Sequence, residues 1–401
     1  MLIQGTGGAM SKAYFMCSGS EAMESAMKLA RQYYMELSPQ QPKRVNFIAR
    51  EGSYHGTTLG SLSMSGHVAR RSLFLDLLLP NIARVSACNA YRGMTEGQTT
   101  EEYVAQLADE LDRKFQELGP DTVCAFVAEP VVGAALGCVP AVPGYFKAMK
   151  TVCDKYGALL ILDEVMSGMG RSGTLHAWQH EDVIPDIQTI AKGLGGGYAP
   201  MAGMLINHRI AKVLGDGTGT FSHGHTYQGH PVGCAAALEV QRIIQEEELV
   251  SNVRKQGVLL EKLLREHLGD HPYVGNIRGK GLFWGPNHRR RNGNEPDPKH
   301  RIDAIIRPVL FLVVLASLTE KYIDYINDTS HIAVPSSDPL SDDHFIEFQR
   351  LGPFELTHMD NMQALSTIML ALAIQQLRAT DNGRALKRCI EAVVAAGPGR
   401  R

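Results

Sequence analysis

Two stretches decide the fold: ALLILDEV at residues 158–165 and IQTIAKGLGGG at residues 187–197. Each is a short run rich in apolar and branched residues that ends abruptly in charge. The first ends in Asp163 and Glu164, the second in Lys192 and a glycine run. Apolar runs of this length without polar alternation read as strands buried on both faces, which is the pattern of a parallel sheet. The carboxylates and the amine then stand at the C-terminal ends of their strands, the edge where open α/β sheets bind ligands. Taken alone, Asp163 reads as a turn cap and Lys192 as a solvated surface residue. The glycine run favours a site, since glycine lets a flat ligand approach the backbone.

Further strands are expected at Val45–Ala49, Val123–Ala128 and Met201–Ile206, with the two above at Ala158–Val165 and Ile187–Ala191. Helical patterns separate several of them, as at Tyr145–Tyr156, giving β-α-β units. From Ser20, SEAMESAMKLARQYY sets Ala22, Ala26, Leu29 and Ala30 on one helical face, directly after Cys17-Ser18-Gly19. His230-Pro231 opens a long amphipathic pattern to about Leu268, with interruptions expected near Glu246 and Gly257. Ile277–Trp284 reads as one more strand, and the basic, turn-rich PNHRRRNGNEPDPKHR after Gly285 as a loop or linker. Val309–Leu318 and Ala364–Leu377 are helix-like.

The 401 residues include 40 Lys+Arg against 42 Asp+Glu, so no global charge favours nucleic acid or an anionic membrane. Cysteines at 17, 88, 124, 138, 153, 234 and 389 form no C-x-x-C pair and suit a reducing, cytoplasmic setting. The longest apolar run, Val309–Leu318, is too short to cross a bilayer, which takes about 18 residues or more.

A lysine and an aspartate on neighbouring strand ends suit pyridoxal phosphate: the amine holds the aldehyde and the carboxylate keeps the pyridine nitrogen protonated. A phosphate site is then needed, and Ser18-Gly19-Ser20 before a helix offers hydroxyls, N–H groups and a positive dipole end, although a lone S-G-S is ordinarily just a cap. Tyr54 and His55, in a loop after a strand, are candidates to stack on a planar ring. His223, His225 and His230 are dense enough to raise zinc, but with no acid among them a polar loop is the favoured reading and no metal is expected. Neither Gly5-Thr-Gly7-Gly8 nor Gly193–Gly197 completes a dinucleotide fingerprint.

The blocks SGSEA at 18–22, YHG at 54–56, AEP at 128–130, LDEVxxGxGRxG at 162–173, PDIxTxAKGLGGG at 185–197 and HTYxGHP at 225–231 together resemble the class III pyridoxal-phosphate-dependent aminotransferases, over residues 14–285. The resemblance implies a fold type I α/β architecture of the aspartate aminotransferase superfamily. A large domain over 1–270 would carry a mostly parallel, seven-stranded sheet flanked by helices. A smaller α+β or helical domain over 271–401, atypical after 285, would follow. It implies Lys192 as Schiff-base lysine and proton shuttle, Asp163 on the pyridine nitrogen, Val165 and Tyr54 on the two ring faces, and Gly19 and Ser20 on the phosphate. His55 and Glu129 would stand among the cofactor-binding residues, Glu129 near the substrate side, and Thr226 would reach the phosphate of a neighbouring subunit, making the protein a homodimer with shared sites. Arg171 is expected to be structural. The implied reaction is ping-pong transfer of an amino group from an amine or omega-amino acid to an oxo acid, with no nucleic-acid or membrane partner.

Three departures accompany the resemblance. Met166 stands where many members carry glutamine, shifting the expectation away from ornithine-like donors. The family's N-terminal small-domain segment is expected to be missing before Ser18, and the chain after Gly285 does not align. Two alternatives therefore stay open: a truncated, catalytically impaired protein of this fold, or an aminomutase, racemase or decarboxylase using the same lysine.

Overall fold

The computed structural model describes residues 1–271 and 274–288. Its centre is a seven-stranded sheet. The strands are β1 (Met10–Met16), β2 (Asn46–Arg50), β3 (Ile82–Val85), β4 (Val123–Ala128), β5 (Leu159–Asp163), β6 (Ile187–Ile190) and β7 (Ala202–Asn207). Their spatial order is β1-β7-β6-β5-β4-β2-β3. From β3 to β6 every pairing is parallel, whereas β7 runs antiparallel to both β6 and β1. The sheet is thus mostly parallel, as expected.

Strands β4, β5 and β6 are buried along their whole length. Successive side chains point to opposite faces. Leu159 and Ile161 therefore join a core layer with helix α1 (Gly19–Glu36), while Leu160 and Leu162 join a second layer with α2 (Thr100–Leu118) and α3 (Tyr145–Lys155). Helix α1 faces the sheet with Ala22, Met23, Ala26, Leu29 and Ala30, whose small members admit a close approach. Its start is fixed by a capping box: Ser18 Oγ accepts from the Glu21 N–H at 3.2 Å, and Glu21 Oε2 accepts from the Ser18 N–H at 2.8 Å.

The region after the sheet departs from the sequence reading in two places. The pattern from Pro231 forms α4 (Pro231–Glu246) and α5 (Leu249–Leu268), separated at Glu248, which adopts a left-handed φ of 50°. No break occurs at Gly257, which lies inside α5 and is buried. There the helix passes directly over the turn of a hairpin: a Cβ at Gly257 would lie 2.7 Å from the carbonyl carbon of Gly281. That hairpin, β8 (Val274–Lys280) paired with β9 (Phe283–His288), replaces the single strand expected over 277–284. It turns at Gly281, whose φ of 58° suits glycine. The sheet and the hairpin lie in one compact unit. The helix-like stretches at 309–318 and 364–377, and the expected C-terminal domain beyond residue 288, lie outside the described residues.

In an isolated helix Gly257→Ala would be stabilising by about 1 kcal/mol. Here the added methyl meets the backbone at residue 281, and overpacking of that kind costs about 1–3 kcal/mol. The Gly257→Ala protein is expected to unfold at lower urea concentration than wild type. A raised midpoint would contradict the packing described.

Candidate active site

A cavity of about 280 Å³ opens at the C-terminal edge of the sheet. It is lined by Gly19, Ser20, Tyr54, His55, Glu129, Asp163, Val165 and Lys192, so each residue expected at the cofactor except Thr226 reaches it. They converge because parallel strands end on the same side. The ends of β1, β2, β4, β5 and β6 lead directly into Ser18-Gly19, Tyr54-His55, Glu129, Asp163 and Lys192.

Asp163 is 4% exposed and fully occupied on its protein side. Its Oδ2 lies 2.8 Å from His55 Nδ1, while Oδ1 accepts from the Val165 N–H at 3.0 Å and the Thr189 hydroxyl at 3.4 Å. The His55 ring is buried, and its backbone N–H donates to Ser65 Oγ at 2.8 Å. His55 therefore meets Asp163 edge-on, through a ring nitrogen. Its Nε2 has no hydrogen-bond partner among the described residues.

Tyr54 is half-buried and held from behind, with the Arg70 guanidinium 4.8 Å from its ring centroid and the His67 ring packed edge-on at 6.4 Å. Its backbone N–H donates to Glu129 Oε1 at 3.0 Å, and Glu129 Oε2 accepts from the Gly133 N–H at 3.2 Å. Burial pushes the Glu129 carboxyl up to about 7, helped by the charge of Asp163 and opposed by His55, the Tyr54 N–H and Arg50.

Lys192 follows the β6 extension in a left-handed conformation, φ 41°, an uncommon state for a residue with a side chain and one that recurs at functional sites. It is open to solvent through the cavity mouth. Even so, partial burial lowers its ammonium pKa below the usual lysine value; Arg171 acts in the same direction, and Asp163 and Glu129 oppose it.

The start of α1 closes the cavity. The capping box uses the Glu21 N–H, and among the described residues no protein acceptor is found for the N–H groups of Gly19 and Ser20. Gly19 sits against Val165, since a Cβ there would fall 2.8 Å from Val165 Cγ1. Ser20 Oγ accepts from the Thr57 N–H at 3.0 Å. Gly56, at φ 130°, makes room for it, because a Cβ would lie 2.6 Å from Ser20 Oγ.

Thr226 is exposed in the loop 221–230 and does not line this cavity. In the same loop His223 Nδ1 lies 3.3 Å from Lys28 Nζ, and His230 caps α4 by accepting from the Gly233 N–H at 3.5 Å. Among the described residues no group of three or more His, Cys, Asp or Glu could hold a metal ion, and no helix is long and apolar enough to cross a membrane.

Sequence reasoning missed the separate part played by Glu164. It is completely buried, and its oxygens accept from the backbone N–H groups of Ala177 at 2.6 Å and Trp178 at 2.7 Å. Burial pushes this carboxyl up to about 8. Glu164 is a bracket for the 177–180 turn, whereas its neighbour Asp163 faces the cavity. Met201, Ala199 and Pro200 also line the cavity; the Ala-Pro-Met run after the glycines was their only sequence signal.

The family model of the class III aminotransferases matches residues 1–305. An aminotransferase of Gibberella zeae is 73% identical over 284 residues, covering 71% of this chain and 56% of the relative. The chain thus spans little more than half the length of that relative. Among solved structures, an (S)-enantioselective omega-transaminase from Thermomicrobium roseum superposes with a TM-score of 0.70 at 39% identity, over 75% of this chain and 67% of that one. The omega-transaminase of Pseudomonas jessenii in complex with PMP does so with a TM-score of 0.66 at 38% identity, over 70% of this chain and 61% of that one. The fold, the cavity and these likenesses agree: the chain belongs to the class III aminotransferase family.

Proposed function

We propose that the protein is a pyridoxal-phosphate-dependent aminotransferase that moves an amino group from an amine or omega-amino acid to an oxo acid by a ping-pong mechanism. The observation that carries this reading is that Lys192 and Asp163, from adjacent parallel strands, line one cavity together with the N-terminus of α1.

The residues present fit the family's cofactor. The N–H groups of Gly19 and Ser20, at the positive end of an 18-residue helix, are suited to a phosphate. Gly19 lets that helix end close on Val165, and Val165 and the braced Tyr54 offer surfaces for a flat ring. Asp163 is a buried acceptor for a protonated ring nitrogen, and the His55 contact fixes its orientation. Pyridoxal phosphate, when bound, supplies an electron sink for charge developing on the substrate carbon that bears nitrogen.

Lys192 has two tasks in this reading. As the Schiff-base lysine it anchors the cofactor through Nζ, and once displaced it takes a proton at Nζ and returns it to a different carbon. Its lowered pKa serves both, because the neutral amine is the nucleophile and the base. Glu129 ties the Tyr54 loop to Gly133, and burial raises the pKa of its carboxyl. A cytoplasmic setting belongs to the same reading, since the six cysteines of the described residues are free thiols.

The exposed Thr226 supports a homodimer in which each copy completes the other's phosphate site.

Borohydride reduction of the protein with pyridoxal phosphate is expected to leave a cofactor adduct on the peptide carrying Lys192, and none in Lys192→Ala. An unmodified Lys192 would overturn the assignment. For shared sites, Lys192→Ala and Thr226→Val proteins, each impaired alone, are expected to regain activity when refolded together, since one of the two mixed sites would then be intact. No gain in the mixture would argue for sites built from a single chain.

A further inference from the structure

Arg50 ends β2 and is only 1% exposed, although it is always charged. Burying a charge is costly, and arginine cannot avoid the cost by losing its proton. Among the described residues no ion pair joins it to a carboxylate, and its Nε finds no acceptor. It is held by a hydrogen bond from Nη2 to the Glu129 carbonyl at 2.5 Å. The rings of Tyr145 and Phe146 cover it, with centroids 5.6 and 5.8 Å from the guanidinium carbon. An apolar side chain of similar length would fill the space between those rings without the desolvation cost. The bond to Glu129 is what arginine adds there.

The place of that bond is informative. The register of β2 with β4 ends at Ile48 opposite Phe126, and beyond it the two chains run on to the cavity, one toward Tyr54 and the other to Glu129. There side chains take over from the ladder, and they do so reciprocally. The Arg50 side chain donates to the backbone of residue 129, and the Glu129 side chain accepts from the backbone N–H of Tyr54 at 3.0 Å. The second Glu129 oxygen accepts from the Gly133 N–H at 3.2 Å, which fixes the carboxyl group from its other side. Ser53 closes the ring, its Oγ donating to the Arg50 carbonyl at 2.7 Å. His55 has anchors of its own, its N–H on Ser65 and its ring on Asp163, whereas the Tyr54 N–H is held by Glu129. A shift of Glu129 is therefore passed to Tyr54.

We infer that Arg50 is a positioning residue: by clasping the end of β4 to the end of β2 it sets, through Glu129, the place of the Tyr54 ring on the cofactor. This rests on the reading of the cavity as the pyridoxal-phosphate site. Arg50 itself does not line that cavity. Its aromatic cover, Tyr145 and Phe146 at the start of α3, belongs to the core layer that also holds Ile48 and Phe126. The clasp thus ties a loop residue of the site to the packed core.

The test uses the full chain loaded with pyridoxal phosphate and reads two quantities besides activity. These are the cofactor's dissociation constant and the visible circular dichroism per bound cofactor, which reports the asymmetry around its ring. Arg50→Met keeps the packing between Tyr145 and Phe146 and removes the donor. It is expected to weaken cofactor binding about tenfold, the scale of one hydrogen bond to a charged group, and to change the dichroism. In a Tyr54→Ala background Arg50→Met is expected to add nothing, because the ring it places is gone. Unchanged binding and dichroism in Arg50→Met would overturn the inference, and so would a further loss of equal size in the Tyr54→Ala background, as a merely structural role would give. If Arg50→Met does not fold, Arg50→Gln, too short to reach the carbonyl and uncharged, takes its place with the same expectations. In cofactor-free protein, hydrogen exchange of the peptide carrying Tyr54 is expected to be faster in both Arg50→Met and Glu129→Ala than in wild type, and equal exchange would contradict the clasp. Failure of wild-type protein to form the cofactor adduct would instead remove the functional reading and leave the exchange result unaffected.

Discussion

An aspartate and a lysine that end adjacent parallel strands are delivered to the same edge of the sheet, and the rest of the site depends on that constraint. β5 and β6 pair in parallel, with Asp163 opposite Thr189, three residues before Lys192. Both strands are buried on two faces, so polar groups can be accommodated only beyond their ends. The sheet order adds β4 with Glu129 and β2 with the Tyr54-His55 turn on one flank, and α1 crosses behind to present its N-terminus. Core packing and site assembly are thus one event: the apolar layers that hold the strands in register also set the spacing between carboxylate and amine.

Within the cavity the charges are balanced unevenly. Asp163 has an imidazole beside it, Glu129 is pushed toward neutrality by burial, and Lys192 is eased away from its charged form. The hairpin at 274–288 belongs to this arrangement although it lies outside the sheet. Gly257 and Gly281 allow α5 and the hairpin turn to press on the 171–173 segment, where a Cβ at Gly281 would meet the Ser172 carbonyl carbon at 2.5 Å. The Arg171 carbonyl there accepts from the Leu282 N–H of the turn at 3.1 Å.

The central strands and α1 were legible in the sequence because each follows one dominant rule: short runs rich in apolar and β-branched residues for two-sided burial, and spaced alanines after a Ser-Gly-Ser cap for the helix. The site was legible because its residues close those same runs. What escaped obeyed competing rules. β1, MSKAYFM, carries a lysine and is partly exposed at the sheet edge, so it lacks both the apolar run and the alternation. β3 has only four residues. Gly257 carries the signature of a helix break, yet it is required by a backbone that lies on top of it. Asp163 and Glu164 look alike as neighbouring acids, and only their placement on opposite sides separates a cavity carboxylate from a bracket holding Ala177 and Trp178. His55 read as a stacking ring because its Asp163 partner is 108 residues away in sequence.

The central claim is that the Asp163 carboxylate, oriented by His55, holds a proton on the ring nitrogen of a bound pyridoxal phosphate. Nitrogen NMR of the protein loaded with cofactor labelled at the ring nitrogen tests it most directly. The account predicts a protonated ring nitrogen at neutral pH in wild type and an unprotonated one in Asp163→Asn. A ring nitrogen that is unprotonated in wild type, or equally protonated in both proteins, would contradict it.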